Sequence, residues 1–186
     1  LAKKRKIPIF GPDINNSQSD FSYELSGTTE CIRYGLKAIK NVGKTAIDFI
    51  NQYRSLDKVP FKDFDDFYDR MHVNNSVAER LINLMRAETG KNSPNPMKKS
   101  VEMSLILAGA FDYCEPNRYK LLNHYLVDIR KEKEVKIDDK VHKLPLDEKD
   151  FTRKIKLALE KTYMGTYISE HPLDSFPYID LDSCKD

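Results

Sequence analysis

Metal-ligand spacing is missing from this chain. Its three cysteines, Cys31, Cys114 and Cys184, lie far apart, and four histidines are scattered along the sequence without clustering. Neither set fits a zinc pattern, and the thiols read as the reduced cysteines of a cytoplasmic protein. Long apolar runs are missing too, so no membrane span is expected, and no signal peptide is read at the start. Nor is one charge in excess. Thirty-one Lys and Arg against 29 Asp and Glu leave a formal charge of +2, which excludes a polycation. Attraction to nucleic acid would therefore have to be local. With 186 residues there is room for one moderate core or two small domains. The first residue is Leu1, inside what reads as an ongoing element, and the chain is expected to be a piece of a longer protein.

What is present is organised around Tyr34–Arg54. Its centre, Ile39 to Ala46, reads as a short apolar helix, a tight hairpin and a second helix. Gly43 can supply a positive φ, and Asn41 is one of the few other residues that tolerates it. Ala46, Phe49, Ile50 and Tyr53 then recur at i, i+3, i+4 and i+7, an apolar stripe onto which Leu36, Ile39 and Val42 can pack. The hairpin is expected to leave the backbone N–H groups of Val42 to Thr45 unpaired at the positive end of the second helix. With Lys40 and Lys44 beside them, these amides make a seat for a phosphate that ignores base sequence. The same pattern is compatible with an ordinary helix-turn-helix corner whose lysines are solvated.

Ahead of the hairpin, Ile7–Phe10 reads as extended and Gly11–Asp13 as a turn. Alternation in Phe21–Leu25 and Cys31–Tyr34 around Ser26–Thr29 predicts a β-hairpin. After it, a helix begins near Asp63 with Phe64, Phe67 and Met71 inward. Asn75 or Ser76 is expected to cap the next, with Val77, Leu81, Leu84 and Met85 on one side. Gly90–Pro96 reads as a loop. Met97–Ala110 predicts a helix with Val101, Leu105 and Ala108 inward, ended by Gly109. Two further helices are expected, one over Tyr119–Lys131 with Leu122, Tyr125, Leu126 and Ile129 inward. The other covers Asp150–Tyr163 with Phe151, Ile155 and Leu159 inward, ended by Gly165. The polar stretch between them reads as a linker.

Taken in order, several segments resemble the bacterial DNA polymerase III alpha subunit of the DnaE class. They are Pro12-Asp13-Ile14-Asn15 with Ser17, Ile32–Gly43, Pro60–Phe67, Ala108-Gly109-Ala110-Phe111-Asp112 and Asn117-Arg118. The last set comprises Glu160, Met164-Gly165, Tyr167, Ser169 and His171-Pro172-Leu173. The resemblance implies a mainly α fold: a tandem helix-hairpin-helix domain, its second hairpin degenerate, preceded by a small antiparallel β element. It implies the end of the fingers over residues 1–34 and the tandem region over 35–130, with an insertion at about 72–96. A polar linker over 131–149 and a C-terminal helix and tail over 150–186 complete the division. The second hairpin would lie between the Phe64 helix and the Val101 helix.

On that resemblance the segment grips duplex DNA through its backbone, with contacts on Lys37, Lys40, Asn41, Val42, Gly43, Lys44 and Thr45. It would hold template–primer duplex and link the fingers to clamp-proximal domains, beside other polymerase domains and replisome subunits. The parent enzyme would be a nucleotidyltransferase with Mg2+ in its palm. This segment carries no candidate for the palm aspartates, so no catalysis, cofactor or metal is assigned to it. Asp65 with Asp66, and Asp138 with Asp139, are neighbours that point apart, without a third ligand to close a site. Ser169 has no base beside it, and His171-Pro172 reads as packing or capping.

Three departures from the family pattern stand out. Asn41 occupies the place of the hairpin's first glycine, and the stretch His72–Pro96 matches nothing. No glutamine follows Gln52, so binding of the sliding clamp through the usual glutamine-led peptide is not expected here. Two other classes stay open: a protein–protein interaction module of the replisome, favoured by near-neutral charge and the acidic Asp63–Asp69 run, and a helix-hairpin-helix DNA repair or competence protein.

Overall fold

The computed structural model describes residues 7–72, 76–89, 95–137, 140–143 and 150–170. Strand β1 (Ile9–Phe10) opens the fold, followed by the hairpin of β2 (Ser22–Ser26) and β3 (Thr29–Arg33). The hairpin is antiparallel, with Tyr23 opposite Ile32, and Gly27 makes its turn at φ 64°. β1 joins the far edge of β3 in parallel, so the small sheet is mixed instead of wholly antiparallel. The turn expected at Gly11–Asp13 falls a few residues later. There the Asp13 carboxylate accepts from the N–H groups of Asn15 and Asn16 at 2.7 and 3.0 Å.

Helix α1 (Lys44–Asp57) buries Ala46, Phe49, Ile50 and Tyr53, as its periodicity predicts, and adds Ile47. Helix α2 (Phe64–Met71) begins at an Asp63 cap, whose carboxylate accepts from Asp66 N–H at 2.9 Å. The Asp66 carboxylate in turn accepts from Lys62 N–H at 2.9 Å, just ahead of the cap, so the helix start is fastened from both sides. Phe64 and Phe67 then meet Phe61, Phe111 and Tyr125 in a cluster of edge-on rings, with centroids 5.0 to 5.4 Å apart. Helix α3 (Ser76–Thr89) packs on α1 and α2 through Ala78, Leu81 and Ile82. Leu84, expected inward, is instead half exposed. The candidate cap Asn75 and most of the loop before α4 lie outside the described residues.

Helix α4 (Lys99–Ala108) is buried on every side from Val101 to Ala108, where the sequence predicts a single inward stripe. Gly109 ends it at φ 87°. That left-handed conformation is what calls for glycine here, and an alanine would in addition push the Arg118 guanidinium, 2.2 Å away, off its place. Two polar side chains of α4 sit inside the core, Glu102 and Ser104. Helix α5 (Arg118–Asn123) is capped by Asn117 and runs into a π-helical turn, His124–Ile129. That turn directs Tyr125 inward, where its hydroxyl donates to Glu102. His72 meets the other Glu102 oxygen at 2.7 Å. Burial, then the adjacent carboxylate, pushes the Tyr125 phenol above its ordinary pKa, so it stays a donor.

The polar stretch 131–149, expected to be a linker, contains an antiparallel pair, β4 (Glu134–Ile137) with β5 (Lys140–Lys143). Alternating Val135, Ile137 and Val141 with charged residues suits a strand, a period hidden by the overall polarity. Helix α6 (Arg153–Met164) closes the described fold against α4, ended by Gly165 at φ 73°. Leu157, Leu159, Glu160 and Met164 are its buried positions, and Ile155, expected inward, is 44% exposed.

Two outcomes follow from these contacts. Tyr125→Phe removes a donor from a fully buried carboxylate and should cost about 1–3 kcal/mol in urea unfolding. Combined with Glu102→Gln it should cost less than the sum of the two single changes; additive losses would dissolve the pair. The second concerns His124, between Asp65 and Asp128 at 2.7 and 2.8 Å. Partial burial alone would lower its pKa, but the two carboxylates hold it above the ordinary value. The contribution is complete below the unfolded pKa and fades as pH rises through the raised folded one. The stability gap between the natural chain and His124→Gln should therefore be larger at about pH 5.5 than at about pH 8.5. These groups are well exposed, which keeps the effect under about 1 kcal/mol.

Candidate nucleic-acid interface

The segment Asp13–Asp20 prepares the corner on which the expected contacts fall. Ser17, fully buried, donates its hydroxyl to Tyr34 C=O at 2.6 Å and accepts from Asp13 N–H at 2.9 Å. Its neighbours Gln18 and Ser19 turn their carbonyls to the N–H groups of Leu36 and Lys37, at 2.9 and 3.0 Å. These are donors that the 3-10 turn Leu36–Ala38 would otherwise leave bare. The approach is so close that a Cβ on Gly35 would lie 2.4 Å from the Asp20 carbonyl carbon. The short apolar helix expected before the hairpin is this single 3-10 turn.

The hairpin itself departs from expectation at two residues. Positive φ is taken by Asn41 (67°), whereas Gly43 is extended at φ −79°. Asn41 therefore does the conformational task assigned to Gly43, and its side-chain amide donates to Ser104 Oγ on α4 at 3.2 Å. Val42 is also not a free donor: its N–H reaches Ile39 C=O at 3.2 Å, and its side chain is in the core. The physical reason is the tight turn, which closes a hydrogen bond across Lys40 and Asn41.

The N–H groups of Gly43, Lys44 and Thr45 have no partner among the described residues, and all three residues are exposed. They start a helix of 14 residues with no side-chain cap, so the positive end of its dipole opens to solvent. Gly43 needs its glycine for neither conformation nor packing, since an added Cβ would meet nothing within 4 Å. The missing side chain instead leaves the approach to these amides clear.

Three lysines surround the corner. Lys40 is exposed and without an ion pair among the described residues, while its N–H donates to Tyr163 C=O at the end of α6, at 2.8 Å. Lys37 lies 3.4 Å from Asp20, both well exposed. Lys44 pairs with Asp48 one turn on. The i,i+4 spacing of Lys44 and Asp48 was legible in the sequence, and the supports from Ser104 and Tyr163 were not. Asp65 and Asp66 turn to separate partners, His124 and Arg70. No group of three or more ligating side chains that could hold a metal occurs among the described residues. Asp138, Asp139, His171 and Pro172 lie outside them, and Ser169 gives its N–H to the buried Glu160 carboxylate at 3.2 Å. Between α2 and α4, where the second hairpin was expected, the described element is α3. No helix among the described residues is long and apolar enough to cross a membrane.

A family profile described as a helix-hairpin-helix motif matches residues 6–92, a range that includes both the corner and α3. The chain is 33% identical over 187 residues to the DNA polymerase III subunit alpha of Bacillus subtilis, covering 94% of this chain and 14% of that protein. With the Campylobacter jejuni subunit the identity is 30% over 191 residues, at the same coverage. With that of Chlamydia muridarum it is 27% over 190 residues, covering 100% of this chain and 15% of the relative. The chain thus spans about one seventh of the length of the curated relatives it matches.

The geometry at Asn41 fixes one outcome. Asn41→Ala places an ordinary side chain in the left-handed region and should cost about 1–2 kcal/mol in thermal or urea unfolding. Asn41→Gly loses only the bond to Ser104 and should cost less. Equal losses would mean that the turn's conformation is not what Asn41 supplies.

Proposed function

Because this chain belongs with the DNA polymerase III alpha subunits, we propose that it is the part of such an enzyme that holds duplex DNA by its sugar-phosphate backbone. The observation that carries the reading is the open row of amides at Gly43, Lys44 and Thr45, at a helix start beside two exposed lysines. A phosphate oxygen placed there meets two or three N–H donors and the positive end of α1. Lys40 and Lys44 add charge without demanding a fixed angle. Lys37, Asn41 and Val42 serve the same seat, Asn41 and Val42 by shaping the turn.

Such a grip takes no account of base identity, since phosphates look alike on every template. That suits a polymerase, whose product duplex must slide past the seat at each step. In the intact enzyme the segment would keep template–primer duplex in register with a catalytic centre located elsewhere. It would also connect the fingers to the clamp-proximal domains in the cytoplasm. The chemistry of nucleotide transfer, with its Mg2+, belongs in this reading to the rest of the enzyme.

The test is fluorescence anisotropy with labelled duplexes of unrelated sequence. Affinities should agree within a few-fold between sequences and should fall steeply between about 50 and about 200 mM salt. Lys40→Glu with Lys44→Glu should lower the slope of log affinity against log salt by roughly one for each phosphate that the protein no longer neutralises. Gly43→Ala should leave unfolding unchanged and still weaken DNA binding, because its methyl group meets only the approaching strand. Binding that survives all three substitutions would leave the interaction-module reading in possession of the corner.

A further inference from the structure

A second feature of α1 lies at its other end. A cleft of about 550 Å³ opens between the C-terminal half of the helix and the Asn15–Gln18 turn. It is lined by Asn15, Asn16, Gln18, Asn51, Arg54 and Lys58 together with three neighbours, and no lining residue is a carboxylate. That is unusual for this molecule. The cleft beside Arg118 is lined by Asp112 and Glu160, and the one along α2 by five aspartates.

Arg54 is the unusual residue in it. Four arginines are half-buried among the described residues: Arg33, Arg54, Arg70 and Arg118. Arg33 grips Glu24, Arg70 grips Asp57 and Asp66, and Arg118 grips Asp112. Arg54 grips no carboxylate. Its Nη1 donates to Ser17 C=O at 2.6 Å and reaches Asn51 Oδ1 at 3.4 Å, which leaves Nε and Nη2 without a partner among the described residues. The neighbouring Asp13 uses its oxygens on Asn15 and Asn16.

A guanidinium does not shed its proton in a protein, so Arg54 remains a charge drawn partly out of water without a counter-ion in contact. Burial accordingly depresses its pKa, with the more distant Asp13 opposing. Lys58, at the helix end, and the Gln18 amide are exposed beside it and make no side-chain bond within the described residues. The cleft therefore presents a planar guanidinium edge, an ammonium and an amide, all donors, with nothing negative among them. Donors of this kind fit the tetrahedral oxygens of a phosphate.

We propose that this cleft is a second phosphate seat, which takes a phosphodiester of a nucleic-acid strand through Arg54, Lys58 and Gln18. The inference rests on the duplex-DNA reading above and extends it. The two seats are at opposite ends of one rigid helix, about 20 Å apart at about 1.5 Å per residue. A strand that reaches both is held at two points, which fixes its direction across the protein as well as its position. The bond from Arg54 to Ser17 gives the guanidinium a firm base, so the seat is pre-organised.

The experiment is a titration of the isotopically labelled chain, following backbone amides, the Arg54 Nε–H and the side-chain amides by NMR. The probes are inorganic phosphate, a single-stranded oligonucleotide and a blunt duplex. Arg54 Nε–H and the Gln18 amide should move with phosphate and with at least one nucleic acid. Arg54→Gln and, separately, Lys58→Glu should abolish those movements and lower the salt slope by about one, while Gly43–Thr45 still respond. Lys58→Glu leaves the Arg54–Ser17 bond in place, so a result confined to Arg54→Gln would mark a structural strut and overturn the proposal. A silent cleft with responding Gly43–Thr45 amides would discard the second seat and leave the first standing. Silence at both would remove both readings. Movement with inorganic phosphate and with neither nucleic acid would overturn the assignment to a strand.

Discussion

Helix α4 has no side that faces water between Val101 and Ala108, and much of the architecture follows from that. A helix surrounded by protein must find partners for every polar group it carries, because a buried donor or acceptor left alone costs more than most contacts return. Here two such groups exist. Glu102 takes the hydroxyl of Tyr125 and the ring of His72, which ties the π-helical turn and the end of α2 to the same carboxylate. Ser104 takes the side-chain amide of Asn41. Polar residues in the centre thus specify where three peripheral elements must lie.

The hairpin corner inherits its shape from this arrangement. From behind, α6 accepts the N–H of Lys40 and α4 accepts the amide of Asn41, while Val42 fills the core between them. On the near side, the Gln18 and Ser19 carbonyls close the 3-10 turn. Held at four points, the backbone can leave three donors in a row unmet at Gly43–Thr45 without collapsing onto them. A row of fixed donors would lose little freedom if an anion arrived, which is what would let a short, nearly neutral segment bind one usefully.

What the sequence made legible was local. The α1 stripe, the helix start near Asp63, the stop at Gly109 and the β2–β3 turn follow from period and punctuation, and the structure agrees with each. What it hid depends on distant partners. A stripe of Val101, Leu105 and Ala108 is also consistent with a helix covered on one face, and nothing nearby reveals that α5 and α6 enclose the rest. The exchange of roles between Asn41 and Gly43 is of the same kind. Either residue tolerates the left-handed region, and the choice falls to Asn41 because Ser104, 63 residues away, receives its side chain. Leu84 and Ile155 fit their helical periods and yet face out, since a period fixes a face and not whether anything covers it. At the candidate site, the seven residues were proposed from spacing and resemblance. Which of their N–H groups are free was not, because the bond between Val42 and Ile39 depends on how tightly the chain turns.

Charge sets the final balance at the corner. Lys44 already has a partner in Asp48, so an arriving phosphate competes for it. The pair is exposed, with Lys44 88% accessible, and exposed pairs of this spacing hold by only a few tenths of a kcal/mol. A phosphate that also received backbone donors would displace the carboxylate, which would then repel it from one turn further along α1. Asp48 would in this way limit how strongly the corner could hold any single phosphate. On the proposed reading, a grip that releases and re-forms at every nucleotide would need a ceiling on strength as much as the grip itself, and the near-neutral composition of the chain would suit it. In such a seat, specific position would come from the amides, and strength would be kept moderate by the acids beside the lysines.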